Sequence, residues 1–404
     1  MNQIKSGCRF WEERKVSLSP PLPFSIWRVP IIWNHMVHHL DTSYMFGHIR
    51  LIRKNIYSMI SIIYNMCPNP FYLGPIDAAN KDHLFIDREG SLEYVKERIG
   101  SEGECIVILG ENGVGKTSFL NIIKAWLEEK AEYTTGRKIL DEISRENTRL
   151  LPVPDTTAKI EHLLVDDIAF LDDSEAARVY EAIDSLLTKN EYTSICLTDR
   201  AHRGENVLKL RKEVSTGTYI DLAVSPNEME NFLRQRLKNT GYHDNFEHDG
   251  VYVAARRAFT NLREFFKYCR EAYRLVDKNG KIGKELMFKA IWTIDRGYLQ
   301  EMDKVARGVL SCLHERASSG GIPLMLLSKY AEETLGISRS TLYHRLNILQ
   351  DYNMIVVTQK GREAFYNTIY NIIEMPIDPK QIINPPSMEE AIQEIVPHGR
   401  KRRP

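Results

Sequence analysis

Residues 105–118 read CIVILGENGVGKTS, and this run decides the fold. CIVIL is short, apolar and rich in β-branched side chains, which suits a strand buried on both faces of a parallel sheet. The nine residues after it bring three glycines, a lysine and a hydroxyl pair. FLNIIKAWLEEKA then sets Phe119, Ile122, Ile123, Trp126 and Leu127 at helical spacing, predicting a helix over 119–131. Strand, glycine-rich loop and helix in that order are what a P-loop requires. Gly110, Gly113 and Gly115 allow the backbone to close around phosphate where a Cβ would collide or the φ would be forbidden. Glu111, Asn112 and Val114 complete the loop, whose amides and following helix N-terminus offer partial positive charge to an anion. Lys116 is expected to reach the β- and γ-phosphates of a nucleoside triphosphate, with Thr117 ligating Mg2+ and Ser118 beside it.

Further along, EHLLVDDIAF (161–170) reads as a second buried strand ending in two acids. Asp166 is expected to hold the metal, and Asp167 stands where a water-activating base belongs. A helix over 174–189 and a strand at Ser194–Leu197 follow, with Thr198, Asp199 and Arg200 at the strand's carboxyl end. In an open parallel sheet that end faces the ligand crevice. Arg200 is expected either to sense the γ-phosphate or to pair with Asp199 or Asp173.

Composition frames these motifs. The 404 residues are 43% hydrophobic and 27% charged, ordinary values for folded globular chains, and allow two or three domains. Lys plus Arg equal Asp plus Glu at 54 each, so nucleic-acid affinity would require a local basic face. Six dispersed cysteines without a CxxC pair suggest reduced, buried thiols in a cytoplasmic protein. No run of eighteen apolar residues occurs, so no membrane association is expected. Residues 1–66 hold three of the five tryptophans and a patch of His35, His38, His39 and His48. A metal site, a membrane-surface helix over 49–66, or a start at Met66 are three readings of this extension, which stays unassigned.

From the P-loop, the acidic strand end and the segments around them, the sequence resembles the AAA+ and STAND ATPases. The resemblance is especially to archaeal ATPases related to the replication initiators of the origin recognition family, and it spans roughly residues 68–370. LFIDREGSLEYV (84–95) looks like the box preceding the P-loop in these proteins, which implies that Phe85 and Arg88 bracket the nucleotide base. LTDR (197–200) is similar to the STAND strand followed by T-x-R. LRKEVSTGTYIDLAVSPNEMENFLRQRL (210–237) looks like the stretch carrying an arginine finger, a strand and the first lid helix, making Arg211 the finger. TNLREFFKYCREA (260–272) resembles the sensor-2 helix, implying Arg263 over the γ-phosphate. ATP, Mg2+ and a homo-oligomer in the ATP state are what the resemblance implies. Two departures stand out. Only fifty positions separate Lys116 from Asp166, so a connecting helix or insert is expected to be missing. An Asp-Asp pair in place of Asp-Glu leans toward the STAND branch.

Beyond a further lid helix over 281–299, three amphipathic helices are predicted at 301–317, 323–336 and 339–352, the third capped by Ser338. IVVTQKGREAFYNTIY (355–370) reads as two strands about a QKGR turn. Three helices and a hairpin describe a winged helix-turn-helix. Leu342, Leu346 and Leu349 face inward in its third helix. Arg339, Ser340, Thr341 and His344 are then left for base edges, and Lys360 and Arg362 for phosphates of duplex DNA. The expected architecture is therefore α/β, a P-loop NTPase (ASCE/AAA+-like) parallel sheet followed by an α-helical lid and a C-terminal winged helix-turn-helix. Its domains are an extension (1–66), the ATPase (67–224), the lid (225–299), the winged helix (300–372) and a basic-ended tail (373–404). The functions expected are an ATP-dependent DNA-binding initiator or loader, a slow STAND-like ATP/ADP switch, or a mobile-element ATPase.

Overall fold

The computed structural model describes residues 69–86, 88–145, 160–277, 280–317, 320–361 and 363–386. The extension with its histidines, the basic run at 398–404, and Arg362 lie outside these residues.

Strand β1 (Glu104–Leu109) leads through the P-loop into α2 (Lys116–Leu127), preceded by α1 (Glu89–Arg98). Strands β2 (Ala131–Thr135), β3 (His162–Asp166), β4 (Ser194–Asp199) and β5 (Tyr219–Asp221) join β1 in one sheet, ordered β2-β3-β4-β1-β5. Every pairing in it is parallel. Successive β1 side chains alternate between two cores, as period-2 geometry demands. Cys105 and Val107 pack with α4 (Asp173–Thr188) and α5 (Glu205–Ser215), while Ile106 and Ile108 pack with Phe119 and Leu120 of α2. Both faces are covered, so the strands read as continuous apolar runs. This is the fold of P-loop NTPases, with β4 inserted between the phosphate-loop strand and the acidic strand.

The helix after the P-loop is shorter than expected. It stops at Leu127, Glu128 turns to φ 55°, and residues 131–135 form β2 instead. Tyr133 and Thr134, which the sequence left unassigned, pair with Leu164 and Val165 of β3 at the sheet edge, where tertiary pairing makes the strand. β2 and α3 (Gly136–Ser144) also fill part of the short interval between Lys116 and Asp166.

The segment expected to be the lid folds as α6 (Pro226–Thr240), α7 (His248–Ala258), α8 (Leu262–Leu275) and α9 (Lys284–Glu301). A capping box between Ser225 and Glu228 starts α6, and Gly241 ends it at φ 72°. After the lid come α10 (Lys304–Arg316), β6 (Ile322–Pro323), α11 (Leu324–Leu335), α12 (Arg339–Asp351), β7 (Ile355–Lys360) and β8 (Glu363–Thr368). Their small sheet has the order β6-β8-β7 and is antiparallel. Residues beyond 372 are not simply a tail. Ile382, in the short helix Pro379–Ile383, is fully buried, and that helix packs against α10.

One core runs through the lid and the C-terminal module. At its centre Arg257 of α7 forms a bidentate pair with Asp295 of α9, at 2.8 and 2.9 Å. Arg257 also donates to the Asn353 carbonyl at 2.9 Å, reaching from the lid into the turn before β7. Tyr268 donates to the same carboxylate. Removing one partner of such a pair strands the other charge in a low-dielectric core. Arg257→Met is therefore expected to cost about 3 kcal/mol in urea denaturation, and Arg257→Met with Asp295→Leu should recover much of that loss. A double variant no more stable than the single one would count against this account.

Candidate nucleotide-binding site

A cavity of about 410 Å3 opens at the carboxyl ends of β1 and β3, between the P-loop and the lid. Loop residues Asn112, Gly113, Val114, Gly115, Lys116, Thr117 and Ser118 line one wall. Gly110 and Glu111 lie outside the lining and meet the site through their carbonyls, which accept from Lys116. Gly113 has φ 83°, and a Cβ there would lie 2.0 Å from the Asn261 Oδ1. Gly115, at φ 102°, turns the chain into α2. Both values are forbidden or strained for residues bearing a Cβ.

Lys116 is 9% exposed, and its ammonium donates to the loop's own carbonyls, Gly110 at 2.6 Å and Glu111 at 2.9 Å. Burial lowers its pKa, against the pull of the Glu111, Asp166, Asp199 and Asp167 carboxylates. Thr117 lines the cavity beside Asp166, and its hydroxyl makes no hydrogen bond among the described residues. Ser118 is committed differently: its hydroxyl accepts from the Ile76 amide at 2.9 Å, tying the segment before α1 to the loop. Val114 is buried in the core under α2.

Asp166 is 2% exposed and held on both oxygens. Tyr133 donates to Oδ2 at 2.7 Å, while Thr198 at 2.5 Å and the Asp167 amide at 2.9 Å donate to Oδ1. Burial, with Asp166 as acceptor, pushes the Tyr133 phenol up, so it stays a donor. Asp167 takes a left-handed backbone, φ 63°, steadied by its amide's second contact to Thr198 at 3.1 Å. Burial raises its carboxyl above the ordinary range, with Asp166 adding and Lys116 opposing. A fixed carboxylate beside a free hydroxyl and a buried ammonium suit a hard divalent cation with phosphate oxygens. The residues present therefore fit a Mg2+–nucleotide.

The arginines divide sharply. Arg263, at the start of α8, is exposed, lines the cavity and has no ion pair or hydrogen bond among the described residues. Asn261 caps that helix by accepting from the Glu264 amide and presses on Gly113, so the lid helix begins on the P-loop. Phe85 lines the cavity 6.0 Å from the Phe119 ring. Arg88 lines it too, donates to the Leu222 carbonyl at 2.9 Å and lies over Phe232.

Arg200 takes the alternative course, pairing with Asp173 at 2.8 Å outside the cavity lining. Arg211 corrects an expectation. A finger must project toward a neighbouring subunit, but Arg211 is 6% exposed and turned inward. It donates to the Arg200 carbonyl at 2.9 Å and lies 3.5 Å from Asp199. The reason is Asp199, fully buried at the end of β4, toward which Arg211 and Arg203 both turn. Arg203 answers it at 2.9 and 2.7 Å and also ties down the Ile168 and Leu171 carbonyls after Asp167.

Sequence reading passed over Tyr133, Asn261 and Arg203. Asn261 carried a usable signal, since Asn-x-x-Glu opens a helix. Tyr133 lies just past the predicted helix over 119–131, in a stretch to which no strand was assigned, and Arg203 in a loop with no periodicity.

In the C-terminal module, Leu342, Leu346 and Leu349 are buried, and Ser338 caps α12. Arg339, Ser340 and His344 are exposed and Thr341 is half-buried. Ser340 and Thr341 bond the Ser338 hydroxyl at 2.9 and 3.0 Å, and Arg339 lies against Tyr343. Lys360 is exposed, 4.7 Å over the Phe365 ring. No described helix is long and apolar enough to cross a membrane, and the four described cysteines are buried free thiols.

No protein-family model and no curated protein matches the chain. Among solved structures it is similar to the Orc1 protein of Aeropyrum pernix in complex with DNA, at 15% identity and TM-score 0.47, over 82% of this chain and 96% of that one. It is also similar to Cdc6p from Pyrobaculum aerophilum, at 13% and 0.37 over 79% and 97%. RuvB of Thermotoga maritima is similar at 17% and 0.41, over 74% and 96%.

Proposed function

We propose that this chain is an AAA+-type ATPase of the initiator or loader kind, binding ATP with Mg2+ in the cavity and duplex DNA through a C-terminal winged helix. The observation that carries the reading is the shared cavity. Lys116 of the P-loop and Arg263 of the lid, unpaired among the described residues, line the same space, so one terminal phosphate would meet cations from both bodies. Mg2+, when bound by Thr117 and Asp166, supplies charge neutralisation at the phosphates. Asp167 orients and deprotonates the attacking water, Thr198 keeps Asp166 in place, and Phe85 and Arg88 border the base. Self-association in the ATP state belongs to this reading. Phe170, 69% exposed just past Asp167, supports it as an apolar contact point on the cavity rim.

The test is ATPase rate with and without duplex DNA, alongside mass in ATP and ADP. DNA-stimulated turnover with ATP-dependent assembly is expected; neither responding to DNA or nucleotide would overturn it. A slow STAND-like switch is the second reading, favoured by an aspartate at 167 whose reach is one methylene shorter than glutamate's. It predicts ATP-dependent assembly with little turnover.

For DNA, Arg339 and Lys360 are exposed cations on α12 and β7, and wing and helix together suit a groove with flanking phosphates. Arg339→Ala with Lys360→Ala should weaken duplex binding and reduce the slope of log K against log salt by about 1 to 2. Fluorescence anisotropy across a salt series reads this directly, and an unchanged slope would exclude the two cations from phosphate contact.

A further inference from the structure

Arg236 of α6 is 7% exposed and lines the apolar part of the cavity with Leu84, Phe85, Phe232 and Phe266. Nε donates to the Leu84 carbonyl at 2.8 Å, Nη1 to the Pro70 carbonyl at 3.4 Å, and the guanidinium lies 4.1 Å from the Phe266 ring centroid. Among the described residues it has no carboxylate partner, and Nη2 has no hydrogen-bond acceptor at all. Burial pulls its pKa down to about 9, which still leaves it charged at neutral pH.

A largely buried cation with no counter-ion is expensive. Anchoring two carbonyls occupies only Nε and Nη1. The third nitrogen is a spare donor on a ligand cavity otherwise walled by apolar side chains, the arrangement by which pockets fix a ligand's orientation. Purine ring nitrogens are good acceptors for guanidinium donors.

We propose that Arg236 is a specificity-determining residue, donating from Nη2 to a purine ring nitrogen, N1 or N7, of the bound nucleotide. This rests on the nucleotide reading above. A hydrogen bond from a charged donor is worth a factor of about 10 or more in affinity. The test is calorimetric titration of ATP, 1-deaza-ATP and 7-deaza-ATP into the full chain and into Arg236→Met. In the unmodified protein one deaza analogue should bind about tenfold more weakly than ATP; in Arg236→Met, ATP and that analogue should bind equally. Equal binding of all three ligands to the unmodified protein overturns the proposal, as does a loss that persists in Arg236→Met. Should Arg236→Met not fold, the comparison within the unmodified protein still decides. Failure of ATP itself to bind would instead sink the nucleotide reading, so the two failures are distinguishable.

Discussion

Lys116→Ala should weaken ATP binding by a factor of about 100. Its ammonium faces a cavity that carries Asp166 and Asp167, and among the described residues its hydrogen bonds go to the loop carbonyls of Gly110 and Glu111. Carbonyls are weak partners for a desolvated cation, so phosphate oxygens compete for it with advantage. Two charge-assisted contacts to phosphate amount to about 3 kcal/mol. Removing the lysine also takes away one of the cations that offset the two carboxylates facing the anion. Arg263 and the loop amides remain, which is why the loss is finite. Titration with a fluorescent ATP analogue measures it, and unimpaired affinity in the variant would sink the site assignment.

Asp167→Asn should leave ATP affinity within about threefold while lowering hydrolysis by a factor of about 1000. The asparagine is nearly isosteric, and the left-handed backbone at this position tolerates it. The contacts that place residue 167 run from its amide to Asp166 and Thr198, so they survive the substitution. What disappears is the carboxylate that burial makes more basic than usual. Single-turnover phosphate release separates this from a binding defect. Full turnover in the variant would transfer the base role to another group.

These two experiments probe the part of the site that was legible in the sequence. Strand, loop and helix around residues 105–127 follow from local chemistry: apolar β-branched side chains, glycines where φ is positive, and a helix N-terminus beyond. Asp166 and Asp167 follow from the same logic, because a buried strand that ends in acids must release them where the sheet opens. Helix α12 was equally local, with a Ser338 cap and three leucines at helical spacing.

The arginines were not legible. Arg200, Arg211, Arg236 and Arg263 are alike in sequence, each a long cation on or near an amphipathic helix. The resemblance made Arg211 a finger, yet Asp199 pulls it inward from twelve positions away. Arg200 is claimed by Asp173, 27 positions earlier in the chain, and Arg236 by Leu84, 152 positions away. Arg263 alone of the four lines the cavity with no partner of its own among the described residues. The chain's local order thus determined that a glycine-rich P-loop and an acidic strand end exist. Only the tertiary structure decided which cations line the cavity beside them, because a flexible charged side chain goes to whatever carboxylate or carbonyl the fold brings within reach.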